Sequence, residues 1–583
     1  MAPGGAGAKA RNRRRGGGPV ERYLPLAYMV MAVLVIVVLL PSALRPPAQQ
    51  STQTAQFSPN APHQNQQSII AAFQQASSGT AGAGTGNGTG PGTTGSGPAG
   101  LQLPPSKLVP NFCPNGFGVP PRQTADIYAG PCAGAWKGDN GGATWRGVTG
   151  TTIRICVTGT GSGNQPSANG PVASQESASQ SAWDRTFTVF QQYFNRNFQF
   201  YGRQVQFIVE NPSGSGISAE QTAGVACDQT WGVFAAGPVS DPECTYLGQH
   251  SIVAFCGDHW PVSFYQDGAP DLYGWVMDGD ELVRLSAEFI CKDLAGHPAQ
   301  WAGEADYQHT TRKFGMLLYD TRGYQQLGPE TQSLLKSECG QNLDIVYSDL
   351  DNSNGEASLA QAVTKFKQDG VTTVIPGVDY ISSAVFTNQA ANQAWFPEIL
   401  VTDGGDLGRN QLASLQNQTE WAHAFGITDL DMERPLEDTD CYRAYQSVDP
   451  ANSPAFVFCD YLYDSLYMLM TGIQNAGPHL TPTTFQQGLY KLGFRYPDRP
   501  AWAIGGGYGP GHPAYADNIA EVWWNSTAPS PDPNTYGAGS DNVGAYEYLR
   551  NGQRYRLGQI PVETPAMFSS GTTTAPDPTQ YGD

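Results

Sequence analysis

Positive charge is scarce in this chain. Lys and Arg number 32 against 51 Asp and Glu, which gives a formal net charge of −19. Such a chain repels nucleic acid and other phosphate-rich surfaces, so no nucleic-acid partner is expected. Histidine is scarce too, with 8 in 583 residues, and no H-E-x-x-H occurs. The 10 cysteines contain no C-x-x-C, so no metal site is expected. There is no G-x-S-x-G elbow and no phosphate-loop lysine after a glycine run. "SLLK" (333–336) fits S-x-x-K and "SDN" (540–542) follows it. No lysine comes after Asn542 to supply K-T-G, which excludes the penicillin-binding and β-lactamase reading. His259 reads as a packed or surface histidine rather than a base. The chain reads as a non-enzyme without a cofactor.

What the sequence does have is glycine (69), proline (44) and an even set of cysteines. The cysteines read as disulfides of an oxidising compartment. Spacing leaves connectivity open. Nearness in sequence suggests Cys113–Cys132, Cys227–Cys244 and Cys441–Cys459, and Cys291–Cys339 would join two neighbouring helices.

The N-terminus supplies the compartment. A basic stretch, "KARNRRR" (9–15), precedes residues 23–44, which hold no charge. At about 1.5 Å per residue in a helix, that run spans a bilayer core of roughly 30 Å. The positive-inside rule places residues 1–22 in the cytoplasm and the bulk of the chain outside. "PSALRPPAQQ" is a poor cleavage site, so an uncleaved single-pass signal anchor is expected in the cell membrane. No cysteine follows the run closely, so no lipid anchor is expected. Residues 45–110 read as a flexible polar linker, 111–151 as a disulfide-stapled leading segment, and 561–583 as a loose tail.

From residue 152 the chain alternates. "IRICV" reads as a strand buried on both faces. It is followed by a helix over 174–198, a strand over 201–210, a helix over 218–237 and a strand over 250–257. A second alternating series runs from a helix over 278–296 to a strand at "EILVTDGG" (398–405). A long apolar helix follows over 454–477, then a shorter one over 481–493. "VGAYEYLRNGQRYRLGQI" (543–560) predicts a β-hairpin turning at Asn551–Gly552. The fold class is therefore α/β, with parallel sheets in two lobes.

Four stretches carry a family resemblance: "IRICVTGTGSG" (153–163), "GMLLYDTRGY" (315–324), "VTTVIPGVDYISSAVFTNQAANQAWFPEILVTDGGD" (371–406) and "YLYDSLYMLMTGIQNAGPHLTPTTFQQGL" (461–489). Over roughly residues 152–560 the chain resembles the type 1 periplasmic binding proteins. These are the branched-chain amino-acid-binding kind that serves ABC importers. The resemblance implies two Rossmann-like lobes, the first over 152–281 and 429–500, the second over 282–428 and 501–560. It implies a small polar, amino-acid-like ligand held between them, and an ABC permease or sensor as partner. A ligand-free scaffold binding another envelope protein is the alternative.

Site candidates follow from strand ends. Thr158, Thr160 and Ser162 lie on the loop after the first strand. "GTGSGN" there has Asn164 where a dinucleotide cradle needs its third glycine, so the loop reads as the lip of a solute cleft. Trp260 and Tyr265 lie in an aromatic stretch suited to stacking on a ring or cation. Asp379 and Tyr380 end one strand and Asp403 ends another. A carboxylate there pairs with a ligand amine or caps the next helix. The resemblance adds Tyr324, matching a tyrosine that family members place over the ligand.

Overall fold

The computed structural model describes residues 124–573, except 125, 159–179, 211–216, 237–240, 258, 321, 349–354, 455–458, 497–502, 532–542 and 563–564. The basic tail, the apolar run, the linker and residues 111–123 of the leading segment lie outside the described residues. So do Cys113, Thr160 and Ser162. Among the described residues no helix is long and apolar enough to cross a membrane.

The first lobe is built on a five-stranded sheet in the order β2-β1-β3-β4-β5. Its strands are β1 (Thr152–Thr158), β2 (Gln204–Glu210), β3 (Phe234–Ala236), β4 (Val253–Cys256) and β5 (Leu272–Gly274), all parallel. The crossovers carry helices α1 (Gln180–Asn197), α2 (Ile217–Gln229), α3 (Asp241–Gln249) and α4 (Val262–Asp267).

The second lobe follows helix α5 (Gly279–Phe289). Its sheet runs in the order β7-β6-β8-β9-β10-β11-β12, with β13 also paired to β11. The parallel part comprises β6 (Phe314–Tyr319), β7 (Leu343–Ser348), β8 (Thr373–Gly377), β9 (Glu398–Val401) and β10 (Ala424–Thr428). Helices α6 (Arg322–Cys339), α7 (Gly355–Asp369) and α8 (Tyr380–Asn392) connect these strands. Between β10 and the last strands, α9 (Asp440–Gln446), α10 (Cys459–Ala476) and α11 (Pro482–Tyr490) return to the first lobe. There Phe194 stacks on Tyr463 at 5.9 Å, and Phe485 meets Phe234 at 5.1 Å. The chain then enters β11 (Ile519–Pro529), β12 (Val543–Tyr548) and β13 (Arg554–Tyr555).

Three segments therefore join the lobes: 274–279, 428–433 and 513–519. They are bonded to one another. Tyr515 N–H donates to Gly274 O at 3.0 Å and Ala516 N–H to Trp275 O at 3.2 Å. Asp429 Oδ2 accepts from Met277 N–H at 2.7 Å. The Arg554 guanidinium donates to Asp429 O (2.7 Å), Leu430 O (2.9 Å), Asn518 O (3.0 Å) and Asn518 Oδ1 (2.9 Å). One arginine thus ties the second crossing to the third, and Asp429 ties the second to the first.

Three sequence readings are corrected. The helix expected over 218–237 stops at Gln229, and Phe234–Ala236 is the central strand β3. Trp231 and Ser251 adopt left-handed backbone around these turns. Helix α3 was not read at all. The expected hairpin over 543–560 does not form, because β12 and β13 each pair antiparallel with β11 rather than with each other. Cys227 and Cys244 do not pair. Cys156 of β1 bonds Cys227 of α2, and Cys244 of α3 bonds Cys256 of β4, so each bridge fastens a helix to the strand it covers. Cys291–Cys339 and Cys441–Cys459 pair as read from sequence. Cys132 is also disulfide-bonded.

Candidate ligand cleft

In the second sheet the chain passes from β6 to β7 on one side and then crosses back to β8 on the other side of β6. A crevice opens at the carboxyl ends of strands where the order reverses in this way. A cavity of about 40 Å³ lies there. Met316 and Leu318 of β6 and Ile375 of β8 form its floor, and Leu282, Val283 and Leu327 close it from α5 and α6. The lining is apolar because a parallel strand covered on both faces is apolar throughout; β6 and β8 are buried along their whole length. The polar lining comes from His259, Ser286, Thr331 and Thr402. Gly377 and Gly404 pack backbone on backbone, so a Cβ on Gly404 would stand 3.1 Å from Gly377 Cα.

Tyr324 of the second lobe lines the cavity, and Trp260 of the first lobe packs against it. Their rings meet edge-on at 5.8 Å, and Tyr324 meets Tyr319 at 5.7 Å. Trp260 is 7 % and Tyr324 9 % exposed, so neither ring presents a face to solvent. Ser263 Oγ donates to Gln326 Oε1 at 2.8 Å, a second contact between the lobes. These contacts describe a closed cleft.

The remaining sequence candidates take other places. Thr158 ends β1. Tyr265 is 1 % exposed and packs under Gly274, where an added Cβ would stand 2.6 Å from its hydroxyl. It belongs to the first lobe's core. Asp379 caps α8: its Oδ1 accepts from Ile381 N–H (2.8 Å) and Ser382 N–H (2.9 Å), and its other oxygen accepts from the Tyr319 hydroxyl. Tyr380 is half-buried and its carbonyl accepts from Gln416 Nε2 at 3.0 Å. Asp403 is fully buried in left-handed backbone, with Oδ2 accepting from Asp429 N–H at 2.7 Å.

Sequence reasoning missed Asp429. Its other oxygen meets His259 Nε2 at 2.9 Å, so His259 is a packed histidine held by the second crossing. Its signal was the same as that of Asp403, an acid at the end of an apolar strand. The two carboxylates divide the charge. Burial, and then the charge of Asp429, push Asp403 up to about 7. Burial also acts against ionisation of Asp429, but the His259 charge, the bond to His259 and the Met277 amide outweigh it and hold Asp429 below its ordinary value.

No protein-family model and no curated protein matches the chain. Solved structures do. A solute-binding protein of an ABC transporter from R. palustris, in complex with 4-hydroxybenzoate, is 10 % identical with a TM-score of 0.47, over 70 % of this chain and 98 % of that one. A fatty acid ABC transporter substrate-binding protein from Thermomonospora curvata is 12 % identical with a TM-score of 0.47, over 72 % of this chain and 97 % of that one. A leucine-binding protein from Thermotoga maritima is 12 % identical with a TM-score of 0.46, over 68 % of this chain and 97 % of that one. At such identities and scores, what these proteins bind says nothing of what this chain binds. Its two-lobe architecture rests on its own strand order and three crossing segments.

Proposed function

We propose that the chain is a non-catalytic solute-binding protein that closes two lobes on a small molecule. The observation that carries this is the cavity at the β6/β8 reversal, lined by Tyr324, on which Trp260 of the other lobe packs, together with the bonded three-segment joint. Two rigid lobes on such a joint open and close by hinge motion. In this reading residues 23–44 tether the protein to the cell membrane, the lobes lie outside, and the ligand passes to an ABC permease or is reported to a sensor partner. The buried His259–Asp429 pair holds the joint rather than a reacting group.

A thermal-shift screen of small molecules tests capture. A ligand at one hundred times its Kd adds about 2.7 kcal/mol to stability. No shift with any molecule at millimolar concentration would favour the second reading, a scaffold for another envelope protein. Protease protection of residues 1–22 in inverted membrane vesicles tests the orientation: cleavage of that tail in such vesicles is expected, and its protection would count against the tether as placed.

A further inference from the structure

The surroundings of the cavity carry information about the charge of its occupant. Helix N-termini are ready anion sites, because their first N–H groups lack partners within the helix. Two helix N-termini near this cavity, those of α5 and α8, are occupied by the chain's own acids. Asp278 caps α5, accepting from Glu281 N–H at 2.9 Å, and Asp280 and Glu281 stand in the same first turn. Asp280 in turn accepts from Val262 N–H at 2.6 Å. Asp379 caps α8 through two amides. Among the described residues that line the cavity there is no Lys or Arg, and His259, its one basic residue, is bound to the Asp429 carboxylate. Arg284, on α5, is 47 % exposed and paired with Glu281 at 3.6 Å. A carboxylate entering here would find the α5 and α8 helix ends already filled and a floor of Met316, Leu318 and Ile375. An ammonium would meet the same apolar floor and lose its hydration without a partner among the lining residues.

We infer that the cleft selects an uncharged, largely apolar molecule with one or two hydrogen-bonding groups, and rejects carboxylates, free amino acids included. This rests on the solute-capture reading above. The Ser286 and Thr402 hydroxyls at the lining are the groups that would receive the ligand's polar end. The closed cavity of about 40 Å³ is smaller than a ring requires, since a cavity that admits benzene is on the order of 150 Å³. Entry of a ring-sized ligand therefore parts Trp260 from Tyr324, and tryptophan fluorescence should report it.

The test uses the full-length protein at neutral pH with matched probes: benzyl alcohol against benzoate, isovaleramide against isovalerate, with Leu and benzylamine alongside. Binding is read by thermal shift and tryptophan fluorescence. The neutral member of each pair is expected to bind at least tenfold more tightly than its anion, and more tightly than Leu or benzylamine. Equal or tighter binding of an anion, of Leu or of benzylamine overturns the assignment and leaves solute capture standing. Binding of no probe at all defeats solute capture and this inference together. Asp379→Ala vacates the α8 N-terminus and should raise benzoate affinity at least fivefold. Asp379→Asn keeps the cap, removes the charge and should move it the same way if the alanine variant folds poorly. If neither variant gains benzoate affinity while neutral binding persists, the filled helix end is not the basis of selection and the inference falls.

Discussion

Arg312 and Glu398 face each other fully buried at the start of β6 and β9, joined by two parallel bonds of 2.7 and 2.8 Å. Glu398 also accepts from Thr373 Oγ1 at 2.7 Å and from Trp301 N–H at 3.1 Å. Removing one partner leaves the other charge stranded. Glu398→Ala should therefore cost about 3–5 kcal/mol in urea unfolding; a loss under about 1 kcal/mol would show that water or a neighbour takes over. The buried aspartates give stability an unusual pH dependence. Burial, and then the charge of Asp429, raise Asp403 to about 7; burial raises Asp440 to about 7 against the pull of Arg443 and Arg434, and raises Asp271 to about 6. The folded protein thus holds protons that the unfolded chain releases near its ordinary value of 3.8. That stability is complete below this value and lost as pH rises through about 7. Asp429, held low, acts only on the acid side of 3.8. The urea midpoint should fall from pH 5 to pH 8, and Asp403→Asn, which can still accept from the Asp429 amide, should flatten the fall. A midpoint that rises over this range would contradict the assignment. At this scale the sequence placed Asp379 and Asp403 correctly at strand ends. It left their partners open, because capping amides and a second crossing segment come from elsewhere in the chain.

At the scale of elements, the long helices and the strands buried on both faces were legible, because their apolar patterns run for several turns or residues. The three-residue strand β3 was not. Three apolar residues have no period, and "WGVFAAG" reads as a continuation of α2. What separates helix from strand there is Gly232, pressed against the bridge between them: a Cβ would stand 2.2 Å from Cys156 Sγ and 2.5 Å from Cys227 Sγ. Gly232→Ala should lower the melting temperature by about 4 °C or more, since each kcal/mol shifts a domain of this size by roughly 2–4 °C. Thiol titration of the denatured, unreduced variant should also find a fraction with the bridge unformed. Wild-type stability and no free thiol would mean that the turn shifts to make room. The expected hairpin failed for a related reason. Asn-Gly marks a turn, but it does not say whether the flanking strands pair with each other or share a third, as they do with β11.

At the scale of the whole molecule, the two alternating series announced two lobes, but nothing in the pattern announced how they are joined. That depends on Arg554, far along the chain from the residues it binds. Arg554→Ala removes four hydrogen bonds at the joint and should cost at least about 2 kcal/mol. It should also separate the unfolding midpoints seen by near- and far-ultraviolet circular dichroism. Coincident midpoints at an unchanged urea concentration would show that the joint is held by other means. The disulfides add a mechanical consequence. Among the described residues each of the four bridges lies within a single lobe, closing loops with separations of 71, 12, 48 and 18 residues, and none spans the joint. Under tension between the chain ends, those loops are locked out of the extensible contour; the 71-residue loop alone withholds about 250 Å of stretched chain. The joint, held by hydrogen bonds, the Trp275–Tyr515 stack and the His259–Asp429 pair but by no disulfide among the described residues, is then the fuse. It yields before the plates on either side are torn, and only a reductant releases the hidden length.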